Sequence, residues 1–206
     1  MVKVHYFFDP MCGWCYGATS LIEILAEIPD FEIHYHPGGM IPKRAIDPSF
    51  RQHILQADSQ IAAMTKAHFG EAYKARVANN GEFVLDSYLP TQAFLVGIEM
   101  GIEPHLMLKT IQEAHYQDGK ELDKAGNLQT LAATLGLNEA IWAANMAGAK
   151  PFLMKEIQES QKLMGQLQIS GFPTLIMEKD DQFVRLPHSS YYGKPSEWEA
   201  YLASLV

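Results

Sequence analysis

The first 36 residues carry the pattern that most constrains the fold, because two strand-like segments there flank one helix-like segment. Val2–Phe8 is rich in β-branched and aromatic residues, with apolar side chains on both faces, which is typical of a buried central strand. Apolar residues then recur at helical spacing from about Gly13 to Ile28, and Pro29 ends the pattern. Phe31–His36 alternates as a second strand does. Because the crossover between them is short, the two strands are expected to be parallel.

The middle of the chain is predicted to be a helical insertion. Residues 47–164 contain no convincing strand, and a helical block of this length cannot be a simple connector. One domain is therefore expected to comprise residues 1–46 and 165–206, with the helical subdomain inserted between them. The predicted helices lie near Phe50–Phe69, Glu71–Ala78, Thr91–Met100, Pro104–Gln117, Leu128–Leu135, Asn138–Ala147 and Pro151–Leu163, with breaks that include Asn79-Asn80-Gly81.

Strand character returns after the insertion. Pro173–Glu178 and Gln182–Leu186 read as two strands joined by a turn at Lys179-Asp180-Asp181. A last amphipathic helix is predicted at about Ser196–Leu205. The chain is thus predicted to be an α/β protein in the order β-α-β, helical insertion, β-β-α.

The two cysteines of the chain, Cys12 and Cys15, lie where the first predicted strand gives way to the first helix. A disulfide closing so short a loop adds little stability, and two cysteines alone do not complete a four-ligand zinc site. The first turn of a helix carries unpaired N–H groups and partial positive charge, which stabilise a thiolate. Cys12, the more exposed member, is predicted to attack a partner's disulfide, and Cys15 to resolve the mixed disulfide. Half of a zinc site and two idle thiols are the alternatives, since one Cys-x-x-Cys pattern is only moderately specific.

A second candidate element is Phe172-Pro173, at the head of a predicted strand. Proline is permitted at the first position of a strand, so a plain strand start is one interpretation. If this strand runs antiparallel to Val2–Phe8, its first residues lie beside the last residues of that strand. This topology would place Phe172 and Pro173 next to Cys12.

Two motifs carry a resemblance to a known family. Asp9–Gly17 (DPMCGWCYG) and Gly171–Thr174 (GFPT) resemble the two signatures of the DsbA-like branch of the thioredoxin superfamily. The order of elements resembles that branch over essentially the whole chain, and Ala114–Leu122 is similar to a segment of its FrnE-like members. The resemblance implies a thioredoxin fold with a large all-helical insertion and a protein-disulfide oxidoreductase or isomerase that needs no bound cofactor. Its partners would be thiol- or disulfide-containing proteins or small thiols, and glutathione is a candidate co-substrate.

The resemblance also implies roles for individual residues, and two departures qualify them. Pro173 would be cis, and Phe172 would offer its backbone N–H and C=O to an extended substrate peptide. Between the cysteines stand Gly13 and Trp14, where the exported oxidases of the family carry Pro-His. Without that histidine we expect a weaker oxidant. The first strand also lacks the buried carboxylate that many thioredoxin-fold enzymes use as proton acceptor for the second cysteine, and Asp9 is the nearest acid.

Further residues are candidates for the rim of the site. Trp14 is expected to form an apolar rim for substrate, with local packing as the alternative. Met40 follows the second strand, and Tyr191 and Tyr192 follow the last strand, so all three should lie at the same sheet edge as Cys12. A plain glycine-rich turn and surface aromatic packing are the alternatives for these positions.

Charge and hydropathy exclude two classes of partner. A net charge of -8 and a pI of about 5.4 leave no basic surface for nucleic acid. No stretch approaches the ~18 uninterrupted apolar residues of a membrane span. Met1–Pro10 lacks the apolar region of a secretory signal, so a cytoplasmic location is expected, with a processed export form as the alternative. No metal site is predicted, because His34 and His36 share a strand face without an aligned acid or cysteine. The oligomeric state is not predicted.

Two rival functions come from other classes of protein. Kappa-type glutathione transferases and 2-hydroxychromene-2-carboxylate isomerases resemble the same insertion architecture, but they typically carry serine at the position matching Cys12 and lack the paired thiol. A chaperone-like module without catalysis could instead use an apolar cleft around Trp14 and Phe172. The presence of both Cys12 and Cys15 favours the oxidoreductase.

Overall fold

The computed structural model of the protein describes residues 1–79, 81–180 and 182–206. Asn80, in a predicted break, and Asp181, in the predicted hairpin turn, lie outside these ranges. The strands are β1 (Val2–Phe8), β2 (Phe31–Pro37), β3 (Arg44–Ala45), β4 (Val84–Leu85), β5 (Thr174–Lys179) and β6 (Gln182–Arg185). The helices are α1 (Gly13–Gly17), α2 (Thr19–Glu27), α3 (Pro48–Thr65), α4 (Glu71–Ala78), α5 (Tyr88–Glu99), α6 (Pro104–Tyr116), α7 (Ala125–Thr134), α8 (Glu139–Gly148), α9 (Lys150–Gln166) and α10 (Pro195–Ala203), with a 3-10 turn at His188–Tyr191.

A four-stranded sheet of order β2-β1-β5-β6 forms the centre of the molecule. β1 is parallel to β2 and antiparallel to β5, and β5 pairs with β6 as an antiparallel neighbour. The predicted β-α-β, insertion, β-β-α order is confirmed. Because β1 and β5 are antiparallel neighbours, the start of β5 lies beside the end of β1.

The central strand β1 is buried on both faces, as its sequence predicts. On one face Tyr6 and Phe8 are fully buried, and the Phe8 ring lies 5.1 Å from the ring of Phe94 in α5. On the other face Phe7 packs with Ile176 of β5 beneath the end of α9. Helices therefore cover both sides of the sheet, which fixes the register of the residues that leave its edge.

The predicted continuous helix over residues 13–28 is instead divided at Ala18 into α1 and α2. The N–H of Ala18 is shared between two carbonyls of α1, at 3.0 and 3.2 Å, which tightens the turn. Gly17 lies directly against α3, where an added Cβ would come within 2.7 Å of the Ile61 side chain. The break therefore comes from close packing of α3 on the backbone of α1, which apolar spacing does not report.

The insertion is not purely helical, which corrects one part of the predicted fold. Arg44 and Ala45 pair antiparallel with Leu85 and Val84, and the N–H of Ile46 continues the ladder to the next carbonyl at 2.8 Å. Strands of two residues are too short to show an alternating pattern, so the sequence carried no sign of them. None of the described helices combines the length and apolar character needed to cross a bilayer.

Candidate active site at the end of strand β1

Cys12 lies at the first turn beyond β1, as predicted. It is the N-cap residue of α1, with extended backbone angles (φ -91°, ψ 114°). Its sulfur accepts the backbone N–H of Cys15 at 3.3 Å, and its own N–H donates to the carbonyl of Asp9 at 3.1 Å. The sulfur thus supplies an acceptor for a backbone N–H that has no partner within the first turn of the helix.

Cys15 lies directly behind Cys12 and is fully buried, whereas Cys12 is 6% exposed. Both cysteines are free thiols in this structure. Burial raises the pKa of the Cys15 thiol well above its usual value, and a hydrogen bond to Cys12 and the negative charge of Cys12 raise it further. The backbone N–H of Asp9 faces the Cys15 sulfur and opposes this shift of the pKa. Cys15 is therefore held in its protonated thiol form.

Phe172 and Pro173 lie beside Cys12, where the strand order places them. The Cys12 sulfur is 3.7 Å from the carbonyl oxygen of Phe172, and the Phe172–Pro173 peptide is cis. The tip of the Phe172 ring lies against Gly38, where an added Cβ would be 1.9 Å from the ring carbon Cζ. The glycine that follows β2 therefore makes room for the aromatic ring that fixes the backbone next to the sulfur.

A groove of about 350 Å³ opens beside the Cys12–Phe172 contact. Trp14 forms one wall, with its ring stacked on that of Tyr192 at 5.8 Å. The groove is lined by Trp14, Met64, Phe172, Pro173, Arg185, His188, Ser189 and Tyr192. Within this set, Arg185 carries a permanent positive charge. The His188 ring is neutral at pH 7, because burial lowers its pKa.

The other rim candidates lie elsewhere. Tyr191 packs against Trp198 and Tyr201 of α10, with ring centroids 5.4 and 5.2 Å away, and so points away from the groove. Met40 is 41% exposed and is absent from the groove lining. Its backbone N–H, however, donates to the Asp9 carboxylate at 2.7 Å, which ties the loop after β2 to the active-site turn.

Asp9 is a buried anchor for the loops around the site. It is 0% exposed, and its carboxylate accepts the N–H groups of Met11 and Met40 and the hydroxyl of Ser87, at 2.9, 2.7 and 2.7 Å. Burial raises the pKa of this carboxyl, and the three donors oppose the shift. The side chain joins β1, the loop after β2 and the start of α5, so its three acceptor contacts hold the end of β1 in place.

Two of the strand histidines, His5 and His36, are joined by a hydrogen bond. His5 lies between His36 and Glu178, with 2.9 Å to each partner. Burial, and then the charges of His5 and His34, lower the pKa of His36 to about 4. No cluster of three or more His, Cys, Asp or Glu side chains suited to a metal ion occurs in the described ranges.

Sequence reasoning missed two charged residues near the cysteines. Arg185 belongs to the short, exposed strand β6, and nothing in its local pattern separates it from other surface cations. Asp58 is 6% exposed and lies under the backbone of Gly13. A signal for Asp58 did exist, since it falls at helical spacing between Ile54 and Ile61, on the apolar face of α3.

Comparison with solved structures shows the same architecture in other proteins. A cytosolic disulfide reductase, DsbM from Pseudomonas aeruginosa, is 33% identical, with a TM-score of 0.91 and 98% of each chain covered. The structure of DsbM with GSH (glutathione) gives 32% identity, a TM-score of 0.90 and the same coverage. A chain from Nitrosomonas europaea shares the fold at 24% identity and a TM-score of 0.77, covering 99% of this chain and 96% of its own.

One further comparison concerns the fold alone. A 2-hydroxychromene-2-carboxylate isomerase has the same fold at 13% identity and a TM-score of 0.60. No curated protein gives a significant sequence match. The DSBA-like thioredoxin domain matches residues 3–189, which is most of the chain. With this match and the likeness to DsbM, the fold and the Cys12–Cys15 turn lead to one assignment: the chain belongs to the DSBA-like thioredoxin domain family.

Proposed function

We propose that this protein is a thiol–disulfide oxidoreductase in which Cys12 is the attacking sulfur and Cys15 the resolving sulfur. The observation that carries the proposal is the contact set of Cys12. Its sulfur accepts one backbone N–H at 3.3 Å, lies 3.7 Å from the carbonyl of Phe172, and has a buried second thiol behind it. This arrangement supplies a nucleophilic sulfur and a backbone segment that can pair with an extended substrate peptide. It also supplies a second thiol that can release the substrate from the mixed disulfide.

The exchange proceeds in two balanced steps. The Cys12 thiolate attacks one sulfur of the partner's disulfide, forming a mixed disulfide and releasing the other sulfur as a thiolate. Cys15 then gives its proton to water and attacks the Cys12 sulfur, which forms the internal disulfide and releases the partner's second sulfur as a thiolate. The charge of Cys12 raises the pKa of Cys15, and this charge disappears once Cys12 is in the mixed disulfide. The resolving thiol therefore becomes easier to ionise at the step that needs it.

Glutathione is the proposed source of electrons, and the cytoplasm the proposed location. Two molecules of glutathione reduce the internal disulfide, becoming one glutathione disulfide and leaving two protein thiols. The support comes from the likeness to DsbM, a cytosolic reductase whose structure with GSH has the same fold, and from the Gly13-Trp14 dipeptide, which lacks the histidine of the exported oxidases. The proposal needs no resident metal or nucleotide.

A reductase assay separates this function from its two rivals. Wild type and Cys12→Ser are compared for insulin reduction driven by glutathione, for glutathione conjugation, and for suppression of client aggregation. Loss of insulin reduction in Cys12→Ser supports the proposal. Conjugation that persists in the variant would favour a kappa-type transferase, and client holding without any turnover would favour a chaperone-like module.

Arg185 is predicted to favour anionic thiols. It lines the groove next to Trp14 and Phe172, and glutathione carries two carboxylates. Arg185→Ala should raise the KM for glutathione about three- to tenfold, because a charge-assisted hydrogen bond is lost. The KM for uncharged β-mercaptoethanol should change little. Arg44→Ala, which removes an exposed cation on β3 outside this groove, is the matched control. An equal rise in KM for both thiols would show that Arg185 does not bind a carboxylate of glutathione.

A further inference from the structure

A buried carboxylate that the exchange mechanism does not use lies beneath the Cys12–Cys15 turn. Asp58 of α3 is 6% exposed, and one of its oxygens, Oδ2, accepts the hydroxyl of Tyr73 at 2.8 Å. The other oxygen, Oδ1, faces the residue between the two cysteines: a Cβ added to Gly13 would lie 3.1 Å from it and 3.0 Å from the Ile61 side chain. Glycine at position 13 therefore allows the carboxylate to approach the backbone of the redox turn.

Among the described residues, no cation lies within ion-pair distance of this carboxylate. Across the residues that the structure describes, the ion pairs within 4 Å do not include Asp58. It lines a cavity of about 610 Å³ between α3 and α4, and Lys74 in the same lining pairs with Glu71. Burial raises the pKa of Asp58 to about 6, and the Tyr73 hydrogen bond opposes this shift. At pH 7 to 8 the group is therefore a poorly screened negative charge.

Asp58 and the two sulfurs lie in one electrostatic environment. The buried hydroxyl of Tyr116 has its pKa raised by burial first, and then by the charges of Tyr73, Cys12, Asp58 and Cys15. The titratable or charged groups around Asp58 are Tyr73, Glu71 and Lys74 from α4, His68 from the segment after α3, Tyr116 from α6, and Cys12 and Cys15 from the redox turn.

We propose that Asp58 makes the Cys12–Cys15 couple more reducing, by placing a negative charge beneath the turn that carries the thiolate of the reduced form. The inference rests on the proposed function. Reduction of the couple by two molecules of glutathione forms glutathione disulfide and turns the neutral protein disulfide into two thiols. Loss of one proton to water then gives a thiolate, and a nearby carboxylate disfavours that anion. The oxidised form is favoured relative to the reduced form, so the dithiol gives up its two electrons more readily. Asp58 does not touch the substrate and acts only through the sulfurs.

The test measures the ratio of disulfide to dithiol protein at equilibrium with glutathione buffers, in matched variants. Asp58→Asn keeps the shape and an acceptor for Tyr73 but removes the charge, while Asp30→Asn removes an equal charge from the exposed surface. The equilibrium constant for oxidation of the dithiol by glutathione disulfide is measured at pH 7.5 by acid trapping and mass spectrometry. We expect it to fall about three- to tenfold in Asp58→Asn, and to stay at the wild-type value in Asp30→Asn.

Two further arms separate charge from structure. Tyr73→Phe removes the hydrogen bond that Asp58→Asn keeps, and it leaves the charge of Asp58 in place. It should therefore retain the reducing character of wild type at pH 8, and loss of that character in Tyr73→Phe would point to a structural role of the hydrogen bond instead. At pH 5, where Asp58 is mostly protonated, the wild-type and Asp58→Asn constants should converge. An unchanged constant in Asp58→Asn, an equal change in Asp30→Asn, or a difference that is the same at both pH values would overturn the inference. If wild type does not exchange with glutathione at all, the proposed function fails instead.

Discussion

Replacing Cys12 with serine is expected to reduce disulfide exchange by about three orders of magnitude or more, since a serine hydroxyl cannot form the mixed disulfide. Fold and stability should change little, because serine has nearly the size of cysteine and can accept the N–H of Cys15 that the Cys12 sulfur accepts at 3.3 Å. The measurement is the rate of insulin reduction with glutathione, alongside thermal unfolding of both proteins.

Cys15→Ser supplies the matched control for that result. This variant keeps the attacking sulfur and removes the resolving one, so it should accumulate a mixed disulfide with its partner at Cys12. Mass spectrometry of the trapped species identifies the modified residue. Accumulation at Cys12 in Cys15→Ser, with none in the double variant, is the expected pattern. If Cys15→Ser turned over as fast as wild type, the second sulfur would have no part in the exchange.

Asp58→Asn is expected to stabilise the folded protein at neutral pH, by about 2–3 kcal/mol relative to wild type. The sign follows from the pKa of this carboxyl, which burial raises from 3.8 to about 6 in the folded state. The folded protein binds this proton more tightly than the unfolded chain does, so wild type loses stability as pH rises from about 4 to about 6. An uncharged amide avoids this loss and still accepts the hydroxyl of Tyr73.

Urea unfolding at a series of pH values measures that effect. The wild-type and Asp58→Asn free energies of unfolding should be similar near pH 4 and diverge up to about pH 7, with Asp30→Asn following wild type throughout. A gap of constant size across this range would point to a packing change rather than to ionisation. If Asp58→Asn were the less stable protein at pH 7, the burial of an uncompensated charge would be contradicted.

Taken together, the two Asp58 experiments test for a trade-off between stability and function. An ionised carboxylate without a cation lowers the stability of the folded state, and the same charge disfavours the thiolate of the reduced pair. The expected outcome is a variant that is more stable but less reducing than wild type. Such opposite changes are typical of residues kept for a site rather than for the core.

Much of the site could be predicted because it depends on strand order. An apolar run on both faces identifies Val2–Phe8 as a central strand, and an antiparallel partner that begins at Pro173 must start beside its end. That reasoning alone brings Phe172 next to Cys12, where the structure has 3.7 Å between sulfur and carbonyl oxygen. Short-range patterns therefore sufficed to place Cys12 and its backbone neighbour.

The rest depends on contacts between distant segments, which local patterns do not contain. The position of Asp58 beneath Gly13 follows from the packing of α3 on α1, and the same packing divides the predicted first helix at Ala18. Tyr191 and Tyr192 are adjacent in sequence, yet the 3-10 turn sends one to α10 and the other to Trp14. Only the tertiary structure separates these two tyrosines.

The most direct test of the account is a titration of the wild-type protein in glutathione buffers of stepwise potential, with free thiols counted at each step. The account predicts that Cys12 and Cys15 are lost together in one reversible two-electron transition. Its midpoint should lie on the reducing side, between about −220 and −300 mV. A stable glutathione adduct on Cys12 without an internal disulfide, or a midpoint near the −120 mV or so of a strong oxidant, would contradict it.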